Sequence, residues 1–91
     1  MTEFVDKPRR HILLNLIDQL EAKGLNIGYA RRLSVGGEWG LCFQEICHAA
    51  KVDDAFFESN RALLEAFDIF FTADPYLAKH CGFPVLPKLF D

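Results

Sequence analysis

The adjacent glycines Gly36 and Gly37 constrain the fold of this chain more than any other residues. They separate two apolar stretches, Leu33-Ser34-Val35 and Trp39-Gly40-Leu41, and admit two readings. In one, they stop a helix and let the next begin at a new angle, because glycine accepts the left-handed backbone that closes a helix. In the other, they form a two-residue hairpin turn, and the alternation of Leu33, Val35, Leu41 and Phe43 suits it. Beyond the glycines, Phe43, Ile46, Cys47 and Ala50 follow the helical period of about 3.6 residues, which favours helices on both sides. The expectation is an all-α chain, a compact bundle of four to five short helices with an extended C-terminal tail. Residues 26–43 are the segment where a hairpin competes.

The rest of the chain carries helical punctuation. Pro8 to Lys23 reads as the first helix, with Pro8 in its first turn and Leu13, Leu16, Ile17 and Leu20 on one face. Lys23 suits the negative end of the helix dipole, and Gly24 follows as a cap. Asn26 is placed to cap a second helix from Ile27 to Val35. A third runs from Trp39 to Lys51, with Glu38 at its positive end. Asp53 caps a fourth, Asp54 to Phe71, whose Phe57, Leu63, Leu64, Phe67, Phe70 and Phe71 give a broad apolar face. Asp74-Pro75 starts a short last helix over Tyr76 to Lys79, ending near Gly82. The apolar, proline-containing residues 82–91 are expected to pack back over the bundle. If the tail stays exposed it suits a second copy, so monomer and homodimer both stand.

Ninety-one residues hold one domain, residues 1–91, and nine phenylalanines are enough for a core. Met1 to Arg10 mixes acids and bases without a long apolar run behind them, unlike a signal peptide. Apolar runs such as Ile12 to Leu14 are far too short to span a bilayer. Three cysteines, Cys42, Cys47 and Cys81, are odd in number and lack disulfide or Cys-x-x-Cys spacing. They read as reduced, mostly buried thiols in a cytoplasmic protein that has no contact with a membrane.

Charge is unevenly placed. Residues 1–32 carry six bases against four acids, residues 38–74 eight acids against two bases, and residues 75–91 two bases against one acid. The middle segment therefore holds a net charge of -6 within a chain of -3. Asp54, Glu58, Arg61, Glu65 and Asp68 fall at alternating steps of four and three, one stripe along a single helix. Four acids on one stripe repel each other, and a basic partner would relieve that cost. The candidate partner-binding residues are Asp54, Glu58, Glu65 and Asp68, with Glu38 and Glu45. Trp39 is a candidate aromatic anchor at the edge, against the ordinary alternative of a core tryptophan.

Catalytic patterns are absent from the sequence. No phosphate loop, Gly-x-Ser-x-Gly, His-Glu-x-x-His or dinucleotide fingerprint occurs, and the cysteines lie in an acidic region unsuited to a thiolate nucleophile. The pairs Cys47-His48 and His80-Cys81 invite a zinc reading. Adjacent helical residues, however, point about 100° apart, so each pair would send one side chain in and one out. No enzyme, cofactor or metal is expected. Glu45 to Asp53 resembles the start of a helix-turn-helix of the TetR-type repressors, which makes a DNA-binding regulator the rival reading. Its second helix would begin Asp54-Ala-Phe-Phe-Glu58, acids where a recognition helix carries bases and amides. Nucleic acid is accordingly not the expected partner. A non-catalytic adaptor subunit shares the same features.

Gly37-Glu38-Trp39-Gly40-Leu41, the following Ile46-Cys47 pair and the capped acidic helix beyond resemble small helical bacterial immunity proteins, the MafI-type family and those of contact-dependent inhibition. The resemblance spans about residues 30–71. The chain departs from that pattern at Cys42-Phe43-Gln44, where Ala-Leu-Glu is usual, and in its tail after Gly82. The resemblance implies a stoichiometric inhibitor of a cognate toxin protein with a basic surface, often a nuclease.

Overall fold

A computed structural model describes residues 5–72 of the chain. Among the described residues there are five helices and no strand: α1 Lys7–Ala22, α2 Gly28–Val35, α3 Trp39–Ala50, α4 Asp54–Ser59 and α5 Arg61–Thr72. The all-α expectation holds, and the hairpin alternative for residues 26–43 does not. The expected helix over Tyr76 to Lys79 and the tail at 82–91 lie outside the described residues.

The connections after α1 and α2 close in the same way. After α1, the Gly24 N–H bonds Glu21 O at 2.9 Å and the Leu25 N–H reaches back to Leu20 O at 3.2 Å. After α2, the Gly37 N–H bonds Ser34 O at 3.1 Å and the Glu38 N–H reaches Leu33 O at 2.9 Å. Both are Schellman closures, which need a left-handed residue, and Gly24 and Gly37 supply φ values of 81° and 79°. Gly37→Ala is therefore expected to cost about 1–2 kcal/mol, the penalty of a Cβ in left-handed space. Thermal unfolding of the variant checks it; an unchanged midpoint would mean the turn relaxes freely.

α3 is the central element and touches the other four helices. Its apolar stripe, Cys42, Phe43, Ile46, Cys47 and Ala50, is buried. Leu13, Leu16, Ile17 and Leu20 of α1 join it from one side, and Phe56, Leu64, Phe67 and Phe71 from the other. Phe43 stands between the two rings of α5 nearest to it, 5.8 Å from Phe67 and 5.5 Å from Phe71 between centroids.

Three boundaries differ from expectation, each for a local reason. α1 starts a residue before Pro8, because the Asp6 carboxylate accepts from the Arg9 N–H at 3.3 Å and caps the helix. Asn26 does not cap α2; Ile27 takes that position, and Asn26 Oδ1 accepts instead from the Gly28 N–H at 3.4 Å. The largest correction concerns the long fourth helix, which is two helices meeting at Asn60. The Asn60 backbone leaves helical space at φ -111°. Its side-chain amide donates to Phe56 O at 3.0 Å, while its own carbonyl accepts from the Leu64 N–H at 2.9 Å. One asparagine thus ends α4 and begins α5, a role its short polar side chain favours.

Two bases, Arg31 and Lys23, make ion pairs between distant segments at the surface. Arg31 of α2 donates to Asp18 at 2.6 Å and to Glu21 at 3.0 Å, both on α1. Lys23, just past α1, meets Asp53 at 3.1 Å. Asp53 also caps α4 as expected, accepting from the Phe56 N–H at 3.0 Å. That backbone hydrogen bond, with Lys23 adding to it, holds the Asp53 carboxyl below its ordinary value of 3.8. A depressed folded pKa contributes stability that is present above the unfolded pKa and is lost as the pH falls through the folded one. The stability difference between the protein and Asp53→Ala should therefore be largest at neutral pH and shrink in acid, as the pH falls below the ordinary 3.8 and through the folded value. Denaturant titrations at neutral and acid pH check this, and a gap that persists in acid would remove the carboxylate from the account.

Candidate functional site

The helix break redistributes the acidic residues. Asp54 and Glu58 stay exposed on α4, and Glu45 and Glu65 are half-exposed on α3 and α5. Glu38 occupies the cap position of α3, as expected, but its side chain makes no capping hydrogen bond there. The five-residue stripe does not survive. Arg61 lies between two of its acids, 3.3 Å from Glu58 and 3.4 Å from Glu65, so part of the expected repulsion is already offset within the chain. Its guanidinium also lies over the Phe57 ring, 5.5 Å from the centroid.

Asp68 and Trp39 leave the candidate surface. Asp68 is only 7% exposed. Leu64, Phe67, Asp68 and Phe71 form an i, i+3, i+4, i+7 set, so Asp68 falls in the buried stripe of α5 once that helix is set by its own contacts. It lies close enough to α3 to add to the upward shift of the Cys47 thiol that burial causes. Trp39 is 6% exposed and belongs to the core cluster, so it is not an anchor that projects from the surface.

Sequence reading passed over the apolar residues beside the remaining acids. Val52, in the turn that leads to α4, is 73% exposed, and Ile69 on α5 is 64% exposed. Val52 follows the last residue of the α3 period, and Ile69 lies off the Leu64-Phe67-Phe71 stripe, so position along the helix was the available signal. The segment from α3 to α5 therefore exposes isolated apolar side chains as well as carboxylates.

Cys42 and Cys47 are shielded from solvent and held as thiols. Burial pushes Cys42 and Cys47 up to about 12, with Glu45 adding to the effect at Cys42 and Asp68 at Cys47. Cys47 points inward while the adjacent His48 is exposed, the division expected of neighbours on a helix. His48 Nδ1 lies 4.0 Å from Glu45. Among the described residues no three His, Cys, Asp or Glu side chains converge in a way that could hold a metal ion. No helix among them is long and apolar enough to cross a membrane.

Two neighbouring cavities open around Trp39. One, of about 230 Å³, is lined by Lys7, Arg10, His11 and Leu14 of α1 with Trp39. The other, of about 190 Å³, shares Arg10 and Trp39 and reaches the Ser34–Gly37 turn. A third, of about 180 Å³, lies between α1 and α5 beneath Arg9, Ile12 and Phe70. There the Arg9 guanidinium covers the Phe70 ring at 4.3 Å.

No protein family, curated protein or solved structure matches the chain.

Proposed function

We propose that the protein is a non-catalytic immunity protein, which binds and neutralises a cognate bacterial toxin domain through an acidic helical face. The observation that carries the reading is that Glu45, Asp54, Glu58 and Glu65 all stay accessible to solvent on α3 to α5, in a segment of net charge -6. Val52, in the turn before α4, is exposed as well. Such a face is complementary to a basic cleft, and a nuclease has one because it must hold phosphate. Charge of this kind speeds encounter and competes directly with nucleic acid for the cleft. Exposed apolar side chains at its margin would add the desolvated contacts that slow dissociation. The Gly37-Glu38-Trp39-Gly40 turn and the Ile46-Cys47 pair, which resemble those of small helical immunity proteins, support the same reading.

Regulation through DNA is disfavoured by the same residues. In a helix-turn-helix over α3 and α4, the second helix would have six residues and present Asp54 and Glu58. Neither its length nor its charge suits a major groove.

The test is isolation of the partner from the native strain with the tagged full chain, at low and high salt, followed by expression of that partner with and without this protein. A basic partner that kills when alone and is silenced by this chain supports the reading. A partner that is harmless, or one retained equally at all salt concentrations, overturns it. Replacing Glu58 and Glu65 together by lysine is expected to slow association about tenfold or more at low salt. The same pair of changes should alter stability by no more than about 1 kcal/mol, since both acids are in surface ion pairs with Arg61.

A further inference from the structure

Helix α4 is the most lightly anchored of the described helices. Its six residues make about 9 Å of helix, far below the length at which a helix holds itself in water. It therefore depends on packing, and it buries Phe56 alone, whereas α3 buries seven of its twelve residues. Both of its flanks leave helical space, Asp53 at φ -116° and ψ 97° and Asn60 at φ -111°. Residues at the ends of an element are where a chain absorbs hinge rotation.

Lys23, the residue that closes α1, grips this short helix twice. Its Nζ lies 3.1 Å from the Asp53 carboxylate and 5.9 Å from the centroid of the Phe56 ring. Asp53 in turn accepts from the Phe56 N–H at 3.0 Å, so one base touches both the cap of α4 and its buried anchor. Past Asn60, Arg61 meets Glu58 at 3.3 Å and lies over the Phe57 ring at 5.5 Å. That ion pair sits at the surface beside the hinge, where it adds little.

We infer that α4 is a hinged arm, which opens while α1, α3 and α5 stay folded, and that Lys23 is the latch that holds it closed. Opening turns the chain at Asp53 and Asn60, releases Phe56 from the core and parts Lys23 from Asp53. An element with a single buried side chain opens at a far smaller cost than a helix buried along its length, so this motion precedes global unfolding. The arm carries Asp54 and Glu58, and the latch sets where those two carboxylates stand. Its bearing on partner binding rests on the proposed function, whereas the opening itself does not.

The test is native-state amide hydrogen exchange of the full chain, read residue by residue by NMR with no partner present. The Phe57 N–H, bonded to Asp53 O at 2.9 Å, and the Asn60 N–H, bonded to Phe56 O at 3.1 Å, report α4. The Ile46 and Cys47 amides, in the middle of α3, report the core. After correction for intrinsic rates, the α4 pair is expected to exchange about a hundredfold or more faster than the α3 pair. Lys23→Met removes the charge and keeps an unbranched side chain. It should speed both α4 amides by one common factor, about fivefold, and move the α3 pair by less than about twofold. Lys23→Arg, which can remake the ion pair and the ring contact, should return α4 to about its original rate. A single rate for both pairs in the unchanged protein overturns the arm, and so does a different factor for each α4 amide in Lys23→Met, which is fraying. No change in α4 on Lys23→Met, an equal rise in α3, or a Lys23→Arg that behaves like Lys23→Met overturns the latch.

Discussion

Replacing Phe43 by alanine is expected to remove about 3–5 kcal/mol of folding stability. Phe43 is fully buried at the centre of α3, the helix that all the others touch. Its ring packs on Phe67 and Phe71, and those two rings lie 6.2 Å apart, so one side chain joins α3 to the whole inner face of α5. Truncation loses the transfer free energy of the ring and leaves a cavity among rigid neighbours that cannot collapse without moving a helix. Total stability of a small domain is about 5–15 kcal/mol, so the loss is a large share of it. Denaturant unfolding followed by far-ultraviolet circular dichroism measures the change. Ile69→Ala, at an exposed position of α5, is the control and should stay within about 0.5 kcal/mol. A Phe43→Ala loss below about 1 kcal/mol would mean that α5 is not held to α3 through this cluster.

The same packing explains what could be read from the sequence. The helical period alone located the buried faces of α1 and α3, because those helices have apolar residues wherever the period demands them. The glycine closures after α1 and α2 were legible for a similar reason, since a left-handed residue is needed at one position and glycine stands there. The break at Asn60 was not legible. Asp53 to Phe71 has an unbroken apolar pattern, and an asparagine within it costs an isolated helix only a fraction of a kcal/mol. Only the fold shows its amide turned back onto Phe56 O.

The missed break separates Asp54 and Glu58 on α4 from Glu65 on α5. Asp68 was misplaced for a different reason: it stands three residues after half-exposed Glu65 but four after buried Leu64, and α5 buries it on the Leu64 side. Residue type suggested solvent, position suggested core, and position prevailed. Trp39 shows the converse: an aromatic residue in a turn motif invites a surface role, yet the Schellman closure at Gly37 directs the chain so that the first turn of α3 packs inward. Arg10 is one of the six bases of residues 1–32, yet its Nε is buried, and it lines a cavity with the α2–α3 turn that no local pattern in the sequence encodes.

Cys42 and Cys47 are expected to be almost inert towards an aromatic disulfide reagent while the protein is folded. Only the thiolate reacts, and moving a thiol from its ordinary 9.0 to about 12 lowers the thiolate fraction about a thousandfold at neutral pH. Neither sulfur is exposed, so access multiplies that factor. In a Cys81→Ser variant these two thiols are the only ones left. The variant should label at the rate at which the fold opens, and both sites should label together on adding denaturant. Rapid labelling of one site in the native protein would sink the picture of α3 as a sealed core helix. It would also return a nucleophilic cysteine to consideration. Slow, paired labelling would show that neither thiol of α3 is available for chemistry while the fold is closed, and that α3 opens as one unit with the helices packed on it.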